Sequence, residues 1–363
     1  MVRWEYTETE LWRHGDGDIA LFHVFGLISI QNTVLCFAEA RYGNGGDAGC
    51  LHDLWMRKSV DGGRSFAPSV CLCPNEGVRS WTNPVPVYDE DTGRLFLFYS
   101  DNPENLRTEN FYRFSDDLGE SWSAPTDITE MLNRAAAPLP FHLAGPGHGI
   151  QLRGGARAGR LIVPFWHRYG VDRPLEQRGY CVSMLYSDDH GATWSATETM
   201  GQDFLANESR IAQTQHDLVW IIRPGLNNPG RYVSRSSDDG ETWSKPEHLP
   251  VGPANNCDGG VMTCSGKPGW EDVLCFSRIS WTEKRRDMEV LYSLDGGRSF
   301  AGRMALPAGD AMPGYSDLCR LEDDEPLLGL LHCRNNHVLF SRISLEALTA
   351  GRYDGSSRKV WLG

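Results

Sequence analysis

Short apolar runs of five or six residues recur along the chain, separated by stretches rich in Gly, Pro, Asn and Asp. LFLFY (95–99), LIVPFW (161–166), CVSMLY (181–186), VLCFS (273–277) and MEVLY (288–292) are examples. Runs this short, bounded by turn formers and rich in β-branched and aromatic residues, predict buried strands. A helical pattern is confined to ITEMLNRAAA (128–137), stopped by Pro138, and to LEALTAG (345–351). The chain therefore reads as all-β.

A repeat turns that reading into an architecture. The pattern Ser-x-Asp-x-Gly-x-x-Trp/Phe occurs at Ser59–Phe66, Ser115–Trp122, Ser187–Trp194, Ser236–Trp243 and Ser293–Phe300, with starts 56, 72, 49 and 57 positions apart. The Asp bonds backbone N–H groups a few residues on, and the Gly takes the positive φ of a tight hairpin. The closing aromatic fills the gap toward a neighbouring unit. Several short strands per repeat predict four-stranded blades of a β-propeller. Dividing 363 residues by six gives about 60 per blade, so five Asp-box blades and one boxless blade fit. The boxless blade holds HVLFSRISLEAL (337–348) and is closed by an N-terminal strand. No Ser/Pro/Gly-rich linker divides the chain, which predicts one domain over residues 1–363. The boxes themselves carry no chemistry.

Composition narrows the partners. Asp and Glu number 48 against 35 Lys and Arg, a formal charge of −13. Nucleic acid and anionic membrane surfaces are poor partners for such a chain. The longest apolar stretch, Ile19–Ile30, is interrupted by His23, Gly26 and Ser29, so no helical span is predicted. The opening MVRWEYTETELW lacks the basic and apolar regions of a signal peptide, which predicts a cytoplasmic location. Ten cysteines without a CxxC pair predict reduced thiols and no zinc site.

The boxes occur together with EARYGNGGD, NPVPVYDEDTG, GPGHGIQL, NES and GYSDL, in that order, from about Phe22 to Leu348. In this combination the chain resembles the sialidase (neuraminidase) superfamily of six-bladed propellers. The resemblance implies an exo-acting hydrolase of terminal sialic acids or related ulosonic acids, with no metal or organic cofactor and an acidic glycan as partner. It places an acid/base at Asp47, a tyrosine nucleophile at Tyr315 and its activating carboxylate at Glu208. Two arginines of a three-arginine carboxylate clamp fall on Arg223 and Arg285, with Arg286 competing for the latter role. Arg41 and Glu39 brace the clamp or Asp47, and Asp53 supports the same loop. Trp81, Thr82 and Asn83, ahead of Pro84, lie in a segment that in relatives runs near the sugar's substituents.

One position departs from the family pattern. Where the first clamp arginine and its following proline are expected, the chain reads Phe22-His23-Val24-Phe25. A neutral imidazole cannot replace the planar, permanently charged guanidinium fork. This predicts weaker binding of an ordinary sialoside or a different acidic sugar. A protonated His23 partly restores the charge below its pKa, which predicts an acid-shifted activity profile. His148, in GPGHGI, reads as a turn histidine outside the site. Two alternatives stand beside the hydrolase: a propeller glycosidase or lyase on another sugar, and a non-catalytic glycan-binding propeller.

Overall fold

The protein is described from a computed structural model. The described residues are 6–136, 139–225, 230–251, 257–264, 273–279, 285, 287–309, 314–321 and 327–350. Six antiparallel sheets form the blades of a propeller. Blade 1 comprises Ile19–Ile30, Thr33–Tyr42, His52–Ser59 and Val70–Cys73, from the innermost strand outward. Blades 2 to 5 repeat this order, with innermost strands Trp81–Asp89, Phe141–Ala144, Ser209–Gln213 and Val261–Thr263. Blade 6 contains Ser316–Leu321, Leu327–Arg334 and His337–Ser344, and its outer strand is the N-terminal segment Tyr6–Arg13. The boxless sixth blade and its closure are as the repeat predicts. Two short α-helices occur among the described residues, Thr129–Ala135 and Leu345–Thr349, one inside each segment with a helical pattern.

The apolar runs are second and third strands, sandwiched between neighbouring sheets. Leu161–Tyr169 is buried at eight of its nine positions. A strand covered on both faces has no reason to alternate, which is why these segments look continuously hydrophobic. The five boxes join the third and fourth strands of blades 1 to 5. In each, the Ser hydroxyl accepts the N–H of the Gly four residues on, at 2.7–2.9 Å. The same hydroxyl donates to the Asp carboxylate, at 2.7–2.8 Å. Three closing aromatics meet the preceding blade: Phe66 packs on Phe340, Trp122 on Phe37, and Trp194 on Phe96 and Phe98. Trp243 and Phe300 make their ring contacts with Trp220 and Phe276 of their own blades. The aromatic plug toward the neighbour is thus realised in three boxes by ring contact and not in all five.

Antiparallel pairing assigns each connection to one end of the propeller. The innermost strands begin at the end that also carries the loops between second and third strands. The Asp-box hairpins lie at the opposite end.

Candidate active site

Asp47, Glu208, Tyr315, Arg223, Arg285, His23 and Arg41 all line one cavity of about 250 Å³ at the end where the innermost strands begin. They come from four blades. His23, Arg41 and Asp47 belong to blade 1, Glu208 and Arg223 to blade 4, Arg285 to blade 5 and Tyr315 to blade 6. Thr82 and Asn83 of blade 2 join them, whereas Trp81 does not line it. Arg286 lies outside the described residues.

The inner pair is Tyr315 and Glu208. Tyr315 immediately precedes the innermost strand of blade 6, and Glu208 that of blade 4. The phenol donates to Glu208 Oε1 at 2.5 Å, and both residues are buried. Glu208 Oε2 stands 3.1 Å from Arg223 Nε, close enough for an ion pair but without hydrogen-bond alignment. Burial pushes the Tyr315 phenol well above its ordinary pKa, and the charge of Glu208 adds to the effect. Burial likewise raises the Glu208 carboxyl, against the opposing pull of Arg223. The resting pair is a neutral phenol hydrogen-bonded to a carboxylate whose proton affinity is increased. Arg285 places its guanidinium carbon 5.7 Å from the Tyr315 ring centroid. Gly314, with φ of +96°, permits this approach, because a Cβ there would lie 2.9 Å from Arg285 Cδ and 3.1 Å from Cys257 Sγ.

Asp47 sits at the mouth on the loop after Thr33–Tyr42, and its side chain is 73% exposed. Arg41 Nη1 donates to Asp47 Oδ1 at 2.5 Å, while Arg41 Nε donates to Glu39 Oε2 at 2.7 Å. Desolvation pulls the Asp47 carboxyl upward, but the charge and hydrogen bond of Arg41 prevail and hold it below the ordinary carboxylate range. Glu39, fully buried, also accepts the Thr82 hydroxyl and, at 2.8 Å, the Asn83 N–H. Arg41 therefore pairs with two carboxylates at once. Asp53 accepts from the Tyr42 hydroxyl at 2.5 Å and from Asn75, so it too anchors this loop.

His23 enters the cavity beside the nucleophile candidate, its ring edge-on to Tyr315 with centroids 4.6 Å apart. The strand register shifts between His23 and Phe25, and Val24 takes φ of +47°. The surroundings of His23 weigh against a compensating imidazolium. Burial, with the adjacent charges of Arg41 and Arg285, drives the His23 pKa well below its ordinary value, which disfavours the charged ring. Its Nδ1 is buried without a hydrogen-bond partner.

Several lining residues were not singled out from sequence: Asn102, Asn105, Leu143, Trp166, Arg168 and Tyr180. Arg168 lies 4.1 Å from the Phe141 ring centroid and donates from Nη1 to the Asn105 carbonyl at 2.8 Å. A cation near the end of LIVPFWHRY was a readable signal, since a charge inside a buried strand is rare without a purpose. His148 lies outside this cavity, with Nδ1 3.1 Å from Asp317, and lines a second cavity of about 560 Å³ where the innermost strands end.

Fold, box hairpins and the convergence of these side chains define a sialidase-type propeller, and comparison with known proteins agrees. Residues 32–333 match the family model described as a BNR repeat-like domain. Rat sialidase-2 is 30% identical over 266 residues, covering 67% of this chain and 68% of the relative. Bovine sialidase-3 is also 30% identical over 266 residues, covering 64% of this chain and 58% of its own length. The solved structure of the Hadza microbial sialidase Hz136 superposes with a TM-score of 0.76 at 24% identity, covering 93% of this chain and 68% of that one. The chain belongs to the sialidase family of BNR-repeat propellers. It spans 53–64% of the length of the first curated relatives it matches.

Proposed function

We propose that the protein is a retaining exo-α-sialidase that releases a terminal sialic or related ulosonic acid. The observation that carries this reading is the 2.5 Å hydrogen bond from the buried Tyr315 phenol to Glu208. The anomeric carbon of such a sugar carries a carboxylate, which an anionic nucleophile would repel by about 1 kcal/mol at 4 Å in water and about 4 at an effective dielectric near 20. A neutral phenol avoids that repulsion, and a tyrosine nucleophile is the known exception to two-carboxylate glycosidases.

In the first step Tyr315 Oη bonds to the anomeric carbon as Glu208 accepts the phenolic proton. The bond to the leaving oxygen breaks as Asp47 donates a proton to it. In the second step water attacks the anomeric carbon, Asp47 takes the water's proton, and the phenolate leaves, recovering its proton from Glu208. Two inversions give net retention. Arg223 and Arg285 bind the substrate carboxylate, and their charges favour the phenolate character that develops on Tyr315. Arg41 holds Asp47 ionised in this structure. The acid role therefore requires substrate to cover that exposed carboxylate, since desolvation raises its affinity for a proton.

The test is hydrolysis of an α-linked sialoside followed by proton NMR. The α-anomer is expected to form first, and turnover is expected to vanish in Tyr315→Phe. Release of the β-anomer first, or full activity in the folded Phe variant, overturns the reading.

A further inference from the structure

Glu208 and Arg210 are two positions apart on the extended chain that opens the innermost strand of blade 4, so both project to the same side. Glu208 meets Tyr315, whereas Arg210 reaches three other blades. Its Nε stands 2.8 Å from Asp258 Oδ2 of blade 5 and donates to the Gly259 carbonyl at 3.2 Å. Its Nη2 donates to the Ser316 carbonyl of blade 6 at 3.4 Å. In blade 3, Gly147 has φ of +97°, and a Cβ there would fall 1.3 Å from Arg210 Nη1. The GPGHGIQL segment thus supplies a glycine whose missing side chain makes room for a guanidinium.

Both side chains of the Arg210–Asp258 pair are buried. A buried ion pair is a weak source of stability, because desolvation offsets most of the attraction and apolar residues of similar volume often serve as well. Its place in the molecule is what singles it out. Ser316, whose carbonyl Arg210 holds, directly follows Tyr315. Gly314, directly before Tyr315, lies against Cys257, the neighbour of Asp258. The backbone that carries the phenol is therefore gripped on one side by Arg210 and on the other by the segment that presents Asp258.

The charges around Glu208 come from several blades. Arg210, Arg223 and Arg231 of blade 4 are cations, Asp258 of blade 5 is an anion, and Tyr315 of blade 6 is a neutral donor. Cys257 lies beside them, and Arg285 and His23 stand at the phenol. Burial raises the Glu208 carboxyl, Arg223 lowers it, Asp258 raises it, and the Tyr315 hydrogen bond and Arg210 lower it. Without Asp258, three guanidiniums would hold Glu208 as an inert anion, a poor acceptor of the phenolic proton. Without Arg210, the Asp258 charge would act on Glu208 uncompensated.

We propose that Arg210 and Asp258 are a positioning pair for the nucleophile: the guanidinium fixes the backbone that carries Tyr315, and the carboxylate opposes the arginines at Glu208. Neither lines the cavity, so both act through Tyr315 and Glu208 and not on substrate. This rests on the function proposed above.

The experiment records kcat against pH on a 4-methylumbelliferyl α-sialoside for wild type, Asp258→Asn, Arg210→Met and Tyr315→Phe. Asp258→Asn keeps the shape and removes the anion, so the rising limb set by Glu208 is expected about one pH unit lower than in wild type. Arg210→Met removes the cation, so the limb is expected about one unit higher, with kcat about tenfold down as the Tyr315 backbone loses its seat. A purely structural role would lower the melting temperature and leave the limb where it was. A limb unmoved in Asp258→Asn, or displaced the same way in both variants, overturns the proposal and leaves the hydrolase reading standing. Should Arg210→Met fail to fold, the limb of Asp258→Asn decides alone. Absence of turnover by wild type, or full turnover by folded Tyr315→Phe, overturns the hydrolase reading and this assignment with it.

Discussion

The two ends of the propeller are built by opposite rules. At the Asp-box end, five hairpins repeat one local hydrogen-bond scheme, and each is complete within eight residues. At the other end, no local segment is complete. Tyr315 and Glu208 are 107 positions apart, and Asp47 reaches its neighbours only because blade 1 meets the ring again. The carboxylates show the contrast well. Asp61, in a box, accepts hydrogen bonds from its own hairpin, and despite some burial these hold its pKa down to about 2. Asp47 is held below the usual range chiefly by one guanidinium, which a substrate can compete for. The first carboxylate is fixed as a brace, and the second remains open to change with its surroundings.

The largest effect that would break this contrast concerns the inner pair. Tyr315→Phe and Glu208→Gln are expected to lower kcat by about 10³-fold or more, with melting temperatures near wild type, because packing is kept while the reacting groups are lost. Activity within tenfold of wild type in either variant would remove the chemical distinction between the two ends.

Asp47→Ala is expected to cost about 10²- to 10⁴-fold on a natural alkyl-linked glycan. The loss should shrink on a 4-methylumbelliferyl glycoside, whose leaving group scarcely needs a proton. Equal losses on the two substrates would count against a proton-donating role.

The pH profile sharpens the same point. Glu208 must be ionised to accept the phenolic proton, and its pKa is raised, so kcat, which reports the complex in which substrate covers Asp47, is expected to climb with pH through a limb set by Glu208. His23 is buried and its pKa is lowered, so His23→Gln should leave that limb in place. Displacement of the limb in this variant would restore the imidazolium as a participant.

The smallest effects on catalysis are expected at the box end. Gly63→Ala places a Cβ about 2.2 Å from Phe340 at a φ of +78°. It should cost about 1–3 kcal/mol of stability and leave kcat unchanged. Asp61 has a folded pKa near 2 against an ordinary 3.8, so its contribution is present above about pH 4 and is lost as pH falls through 2. Asp61→Asn should therefore lower the neutral-pH melting temperature and flatten the acid-unfolding curve in that window.

What could be read from the sequence follows the same division. The boxes, the blade number and the closing strand were legible because each depends on short-range turn chemistry and apolar runs. Asp47, Glu208, Tyr315, Arg223 and Arg285 were legible through family motifs, and the cavity they line together is a property of blade order alone. The state of His23 was not legible. A histidine in a strand titrates near neutrality until burial and two neighbouring guanidiniums are known. Arg168 and Asn102 were missed because they lie outside any motif. That both line the cavity is set by how blades 2 and 3 pack.

The pairing of Tyr6–Arg13 with His337–Ser344 has a consequence for assembly. The sheet that seats Tyr315 is stitched from Tyr6–Arg13 and strands far along the sequence, so the candidate nucleophile is fixed only once these distant segments have met. A chain trimmed through its first strand would leave the edge of His337–Ser344 bare, inviting pairing with another molecule and loosening the blade on which the chemistry depends.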